Sequence, residues 1–81
     1  MPGIVHTRAH KAFIATVSAY LTEHGISQGE FAKRCKRDEK WVSAVLNGHR
    51  GVQAADIPKI ARACGSTPLQ FFRRWMAILG T

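Results

Sequence analysis

Acid is scarce in this chain. Five Asp and Glu stand against 12 Lys and Arg in 81 residues, leaving a formal net charge of +7 and a pI near 10.3. That imbalance selects no fold, but it ranks the partners: nucleic acid first, an anionic membrane surface second, an acidic protein third. Cysteine is nearly missing as well. Cys35 and Cys64 form no C-x-x-C pair and fall at apolar helix positions, which excludes a disulfide framework and fits a reducing cytoplasm. No apolar run approaches the ~18 residues of a spanning helix, and the N-terminus has no signal core, so a soluble intracellular protein is expected.

Catalytic and metal signals are lacking too. His6, His10, His24 and His49, with the two cysteines, show no ligand spacing, so no metal is expected. Ser43, Cys35 and Cys64 have no base nominated to activate them, so the expectation is a protein that is not an enzyme and takes no cofactor. No strand pattern survives either. What remains is helix. An apolar content of 46% supports one modest core that buries roughly 60% of the unfolded surface.

Start and stop signals divide the chain into a loose arm at residues 1–6 and a single domain at 7–81. Thr7 caps a first helix that ends at Gly25, with Phe13, Val17, Tyr20 and Leu21 at helical spacing. Ser27 and Glu30 match a capping box for the second helix. Asp38 caps the third, Val42, Val45 and Leu46 form its stripe, and Asn47-Gly48 ends it. The fourth is placed at about 56–64 with its cap at Asp56, which keeps Pro58 in the first turn. Thr67, Pro68 and Gln70 open the fifth, at about 68–79, as a second capping box. The apolar residues of this last helix cover more than one face. Phe72, Trp75, Met76 and Leu79 are the surplus, and a homodimer seam is their expected use.

Half of the cations lie at or beside residues 27–48: Lys33, Arg34, Lys36, Arg37, Lys40 and Arg50 are six of the 12. Two short helices joined by a tight turn, this basic, read as a helix-turn-helix whose second helix enters a major groove. Residues 26–72 resemble the lambda-repressor/Cro (XRE-type) helix-turn-helix family. Ser27, Gln28, Phe31 and Ala32 match its second helix, Val42-Ser43 and Asn47-Gly48 its third. Ile57, Ile60-Ala61, Ala63, Cys64-Gly65 and Thr67 match its downstream run. The family's Gly-Val-Ser turn is replaced by Lys36-Arg37-Asp38. Lys36 is therefore expected to be left-handed without glycine, at about 1 kcal/mol, and Arg37 stands where an apolar residue is usual.

The resemblance implies an all-α, five-helix domain with site roles at defined positions. Glu39, Lys40 and Ala44 fall where base edges are read: cytosine N4, guanine O6/N7 and a thymine methyl suit them. Gln28, Lys36, Arg37, Trp41, Ser43, Asn47, His49 and Arg50 fall where the sugar-phosphate is held. The expected function is a sequence-specific regulator of double-stranded DNA, a repressor on a palindromic operator, cytoplasmic and nucleoid-associated when bound. Two alternatives stand beside it. One is an antitoxin-like protein that also holds a toxin; the other is a basic interaction module that does not read DNA.

Overall fold

The computed structural model describes residues 7–80; the arm read at residues 1–6 lies outside them, as does Thr81. Five helices follow in order: α1 (Arg8–His24), α2 (Gln28–Cys35), α3 (Glu39–Leu46), α4 (Asp56–Ala63) and α5 (Pro68–Leu79). No strand occurs among the described residues. The all-α, five-helix expectation is met.

Four helices start where a short polar side chain can replace a missing carbonyl. Thr7, Ser27, Asp38 and Thr67 are extended, and each accepts a hydrogen bond from the backbone N–H three residues on. Capping of this kind is worth about 1 kcal/mol per helix. The reciprocal half of the box at Ser27 does not form. The Glu30 carboxylate instead accepts from Arg34 Nε at 3.1 Å, because an i,i+4 cation competes for it.

The fourth start corrects the sequence reading. Asp56 is not the cap of α4; it is buried and is the helix's first residue, with Ala55 at the cap position. The chain begins turning earlier, with Asp56 N–H donating to Gln53 O at 2.9 Å and Ile57 N–H to Ala54 O at 3.2 Å. The Asp56 carboxylate reaches back to accept the Gln53 N–H at 3.3 Å. Ala54 O is thus already used by Ile57, and the N–H that Pro58 lacks is not needed.

Helix ends repeat one device. After α1, α2, α3 and α4 a left-handed residue donates to the carbonyl three back, and its successor to the carbonyl five back. This is the Schellman arrangement. Gly25, Gly48 and Gly65 hold the left-handed position in three of them, and Lys36 in the fourth at φ 58°. Lys36 thus does what its place in the sequence implied.

The core gathers apolar stripes from all five helices, with Phe13, Phe71, Ile60, Val17 and Val42 fully enclosed. Each such side chain contributes roughly 1.5–3 kcal/mol by leaving water. The seam between α1 and α5 is aromatic. Phe13 meets Phe71 and Trp75 edge-on, with centroids 5.5 and 5.1 Å apart, and Tyr20 stacks on Phe71 at 5.9 Å. Outside that seam Arg74 lies over the Tyr20 ring at 4.6 Å and grips both oxygens of Glu23. The guanidinium holds the Glu23 carboxyl below its usual range.

Trp75, expected on a free seam, is turned towards α1. It is half-buried, and its Nε1–H donates to Ala9 O at 2.8 Å. A ring that large gains more from the α1 groove than from solvent. Leu79 is also half-buried, and its carbonyl accepts from Arg8 at 3.2 Å. The apolar side chains left outside are Leu69, Phe72 and Ile78, at 60%, 50% and 44% exposure.

Candidate nucleic-acid interface

Helix α3 buries Trp41, Val42 and Val45, which turns the opposite side of the cylinder outward. Glu39 and Lys40 are exposed, and Ser43 and Ala44 are half-exposed. Asn47, just past the helix, donates from Nδ2 to Ser43 Oγ at 3.2 Å, so these two polar side chains form a tied pair. His49 and Arg50 follow on the exposed loop.

The structure brings some of the expected residues together. Lys40, Ala44 and Arg50 line one cleft of about 550 Å³ with Arg37, Asp38 and Trp41. Three cations thus converge on a hollow whose floor is an aromatic ring and a methyl group. An elongated anion with a flat apolar edge fits that chemistry, and it is what a nucleic-acid groove edge presents.

Trp41 calls for a correction. It is 7% exposed and belongs to the core, so it is the floor of the cleft rather than a ring pressed on a backbone from outside. Arg37 explains how that floor is closed. Its guanidinium lies 4.7 Å above the indole and donates from Nη2 to Asp56 Oδ1 at 3.2 Å. A cation at a corner usually filled by an apolar side chain is thereby accommodated between a π face and a carboxylate. The Arg37 charge, expected to be free for a phosphate, is partly spent inside the protein.

Glu39 faces another way. A Cβ on Gly29 would stand 3.3 Å from Glu39 Oε2, so this carboxylate lies against the first turn of α2. Negative charge is favourable there, where backbone N–H groups point outward. Gln28 is exposed at the first position of the same helix. Glu39 and any phosphate held by Gln28 would therefore compete for one electropositive end. Gly29 is a site residue that the sequence reading passed over, and a glycine two places into a helix was its visible signal.

Lys36 is not brought to the α3 cleft. It is exposed on the other side of the turn, where it lines a second hollow with Arg34, Cys35, Lys59 and Arg62. Asp56 and Gln53 were also missed as supports of the site. The Arg37–Asp56 contact joins residues 19 positions apart, which no local spacing announces, while Gln53 bonds Asp56 three positions on.

Both thiols are free and buried. Burial pushes the Cys35 thiol up to about 11 and the Cys64 thiol up to about 12. They are protonated and inert near neutrality. Among the described residues no three His, Cys, Asp or Glu side chains gather as a metal cluster. No helix there is long and apolar enough to cross a membrane.

Comparison with known proteins agrees with this geometry. A family model described as a helix-turn-helix domain matches residues 7–71. Among solved structures, the clp gene regulator ClgR from C. glutamicum is similar, with a TM-score of 0.74 and 14% identity. The match covers 85% of this chain and 90% of that one. At that identity the likeness is one of fold. No curated protein matches the sequence. With α2 and α3 in place and residues 7–71 matched, the chain belongs to the helix-turn-helix domain family, of the lambda-repressor/Cro (XRE) type.

Proposed function

We propose that this protein is a sequence-specific, double-stranded DNA-binding transcription regulator that represses from a palindromic operator as a homodimer. The observation that carries the reading is the cleft beside α3, where Lys40 and Arg50 flank Ala44 over the Trp41 floor. In this reading α3 enters the major groove, and Lys40 donates to guanine O6/N7 while Ala44 meets a thymine methyl. Gln28 and the first N–H groups of α2 hold a phosphate on one side, and Asn47, His49 and Arg50 hold backbone on the other. A tied Ser43–Asn47 pair presents its polar atoms without further ordering, which lowers the entropy lost on binding.

Two copies would meet through α5. Its exposed Leu69 and Phe72 are one turn apart on the side away from α1, and burying them twice over by a two-fold contact suits an isologous seam. Twin half-sites about one helical turn apart follow from that symmetry.

Selection of bound duplexes from a random pool, followed by titration at several salt concentrations, tests the reading. A steep log–log salt slope and a preferred sequence are expected. Lys40→Ala should lower the preference for that sequence by roughly 10-fold, as loss of one bidentate base contact does. Equal affinity for all duplexes would overturn sequence-specific regulation. The mass of Leu69→Glu/Phe72→Glu in solution tests the seam: an unchanged dimer would place it elsewhere.

A further inference from the structure

The second hollow, at the α2–α4 seam, lies outside the surface that the α3 reading uses. It has a volume of about 260 Å³ and is lined by Arg34, Cys35, Lys36, Lys59 and Arg62. Four of the five lining residues are cations and none is acidic. Lys36, Lys59 and Arg62 are exposed, and among the described residues none of their side chains has an ion-pair or hydrogen-bond partner. Arg34 is different. It is fixed at the rear by Glu30 at 3.1 Å and by the carbonyl of Ala63 at 3.2 Å.

No acid lines this hollow; among the described residues Glu30 is paired with one of its cations, Arg34, and the other acids are used elsewhere. Glu23, Glu30 and Asp56 are paired with arginines, Asp38 caps α3, and Glu39 lies on α2's first turn. Lys36 also holds its place at a backbone cost, since glycine occupies the same position after three other helices. A strained residue that brings a cation to a cluster of cations is a mark of use.

We infer that this cluster binds the phosphodiester backbone of the DNA duplex where it continues beyond the stretch under α3. Two observations select that occupant. The hollow offers charge with no exposed aromatic or aliphatic anchor, since Cys35 is buried, whereas a protein partner would need such an anchor. The hollow also neighbours the α3 cleft along the chain, since Arg37 lines one and the adjacent Lys36 the other. The inference rests on the α3 reading and adds to it a contact that carries no sequence information but lengthens the footprint.

The test compares wild type with Lys36→Gln/Lys59→Gln/Arg62→Gln on duplexes of about 16 and about 40 base pairs, both centred on the sequence selected from the random pool. On the longer duplex the variant's log–log salt slope should be shallower by about 2–3 per protomer, hence about 5 for a bound dimer, one released counterion for each lost phosphate contact. On the shorter duplex the slopes should agree, and sequence preference should be the same throughout. Equal slopes on both duplexes would overturn the inference and leave the cations as partners of the α2 and α4 helix ends; the variant's urea midpoint would then fall instead. A loss of equal size on both duplexes would overturn the flank assignment. So would a wild-type protein that brings two labelled duplexes together when the variant does not. Failure of wild type to bind either duplex would overturn the α3 reading itself, an outcome separate from all of these.

Discussion

The α1–α5 half and the α2–α3 half of this molecule are held together by different means. Between α1 and α5 the work falls to large rings: Phe13, Tyr20, Phe71 and Trp75 contact one another at 5.1–6.4 Å. Between α2 and α3 the inward side chains are of mixed size: Ala32, Cys35, Val42 and Val45 lie beside Phe31 and Trp41. Polar groups make up the rest there: two caps, the Lys36 turn, and Arg37 between Trp41 and Asp56. The small Ala32 and Cys35 bring α2 close to its neighbours, while Glu39 and Lys40 of α3 stay outward. The α2–α3 half therefore adds hydrogen-bond geometry to its packing, where the α1–α5 half leans on aromatic volume.

Substitutions can break that contrast or sharpen it. The largest effect is expected from Phe71→Ala, which empties a site with no solvent exposure. It should lower stability by about 3–5 kcal/mol in urea unfolding, with DNA binding lost only through loss of fold. Alkaline pH should act next, through Cys35 of α2 and Cys64 at the end of α4. Both thiols have folded pKa values above their ordinary 9, at about 11 and about 12. They favour the folded state fully below about pH 9, and that contribution is lost as pH rises through 11. Between pH 8 and pH 10 the loss should be on the order of 2 kcal/mol, and Cys35→Ala/Cys64→Ala should remove this dependence.

Asp56→Asn should cost about 1–2 kcal/mol, because Arg37 loses its carboxylate over the Trp41 ring. Unlike Phe71→Ala, it should reduce sequence preference at temperatures where the fold is intact. A variant that binds DNA as selectively as wild type would show that the clamp does not position α3. The smallest effect has the opposite sign. Lys36→Gly should raise the unfolding free energy by about 1 kcal/mol, read as a higher urea midpoint at unchanged m-value, since it relieves the left-handed lysine.

The sequence made the helix boundaries legible wherever a boundary is made by one residue and its immediate neighbours. Thr7, Ser27, Asp38 and Thr67 act within three positions, and so do the left-handed residues after α1 to α4. Periodicity also identified the inward stripes of α1 and α3. It could not separate two large side chains that share a helix. Trp41 and Lys40 are adjacent, yet one is floor and the other wall of the same cleft. Trp75 and Phe72 lie one turn apart, and only the long reach from Nε1 to Ala9 decides which turns inward. Asp56 shows the limit most clearly. Its cap-like position near Pro58 is local, whereas its partner Arg37 arrives from the α2–α3 turn, 19 positions earlier.

Both tryptophans of the chain have now been placed, one in each half. Trp75 is hydrogen-bonded within the α1–α5 seam, while Trp41 faces a cleft and lies under a guanidinium. The protein therefore carries two built-in optical probes with separate assignments. With Trp75 replaced by Phe, the remaining emission comes from the cleft floor and responds to whatever displaces or crowds Arg37. With Trp41 replaced instead, the emission follows the aromatic seam and is silent to occupancy of the cleft. Light alone can then tell an event at the α3 surface from a loosening of the scaffold behind it.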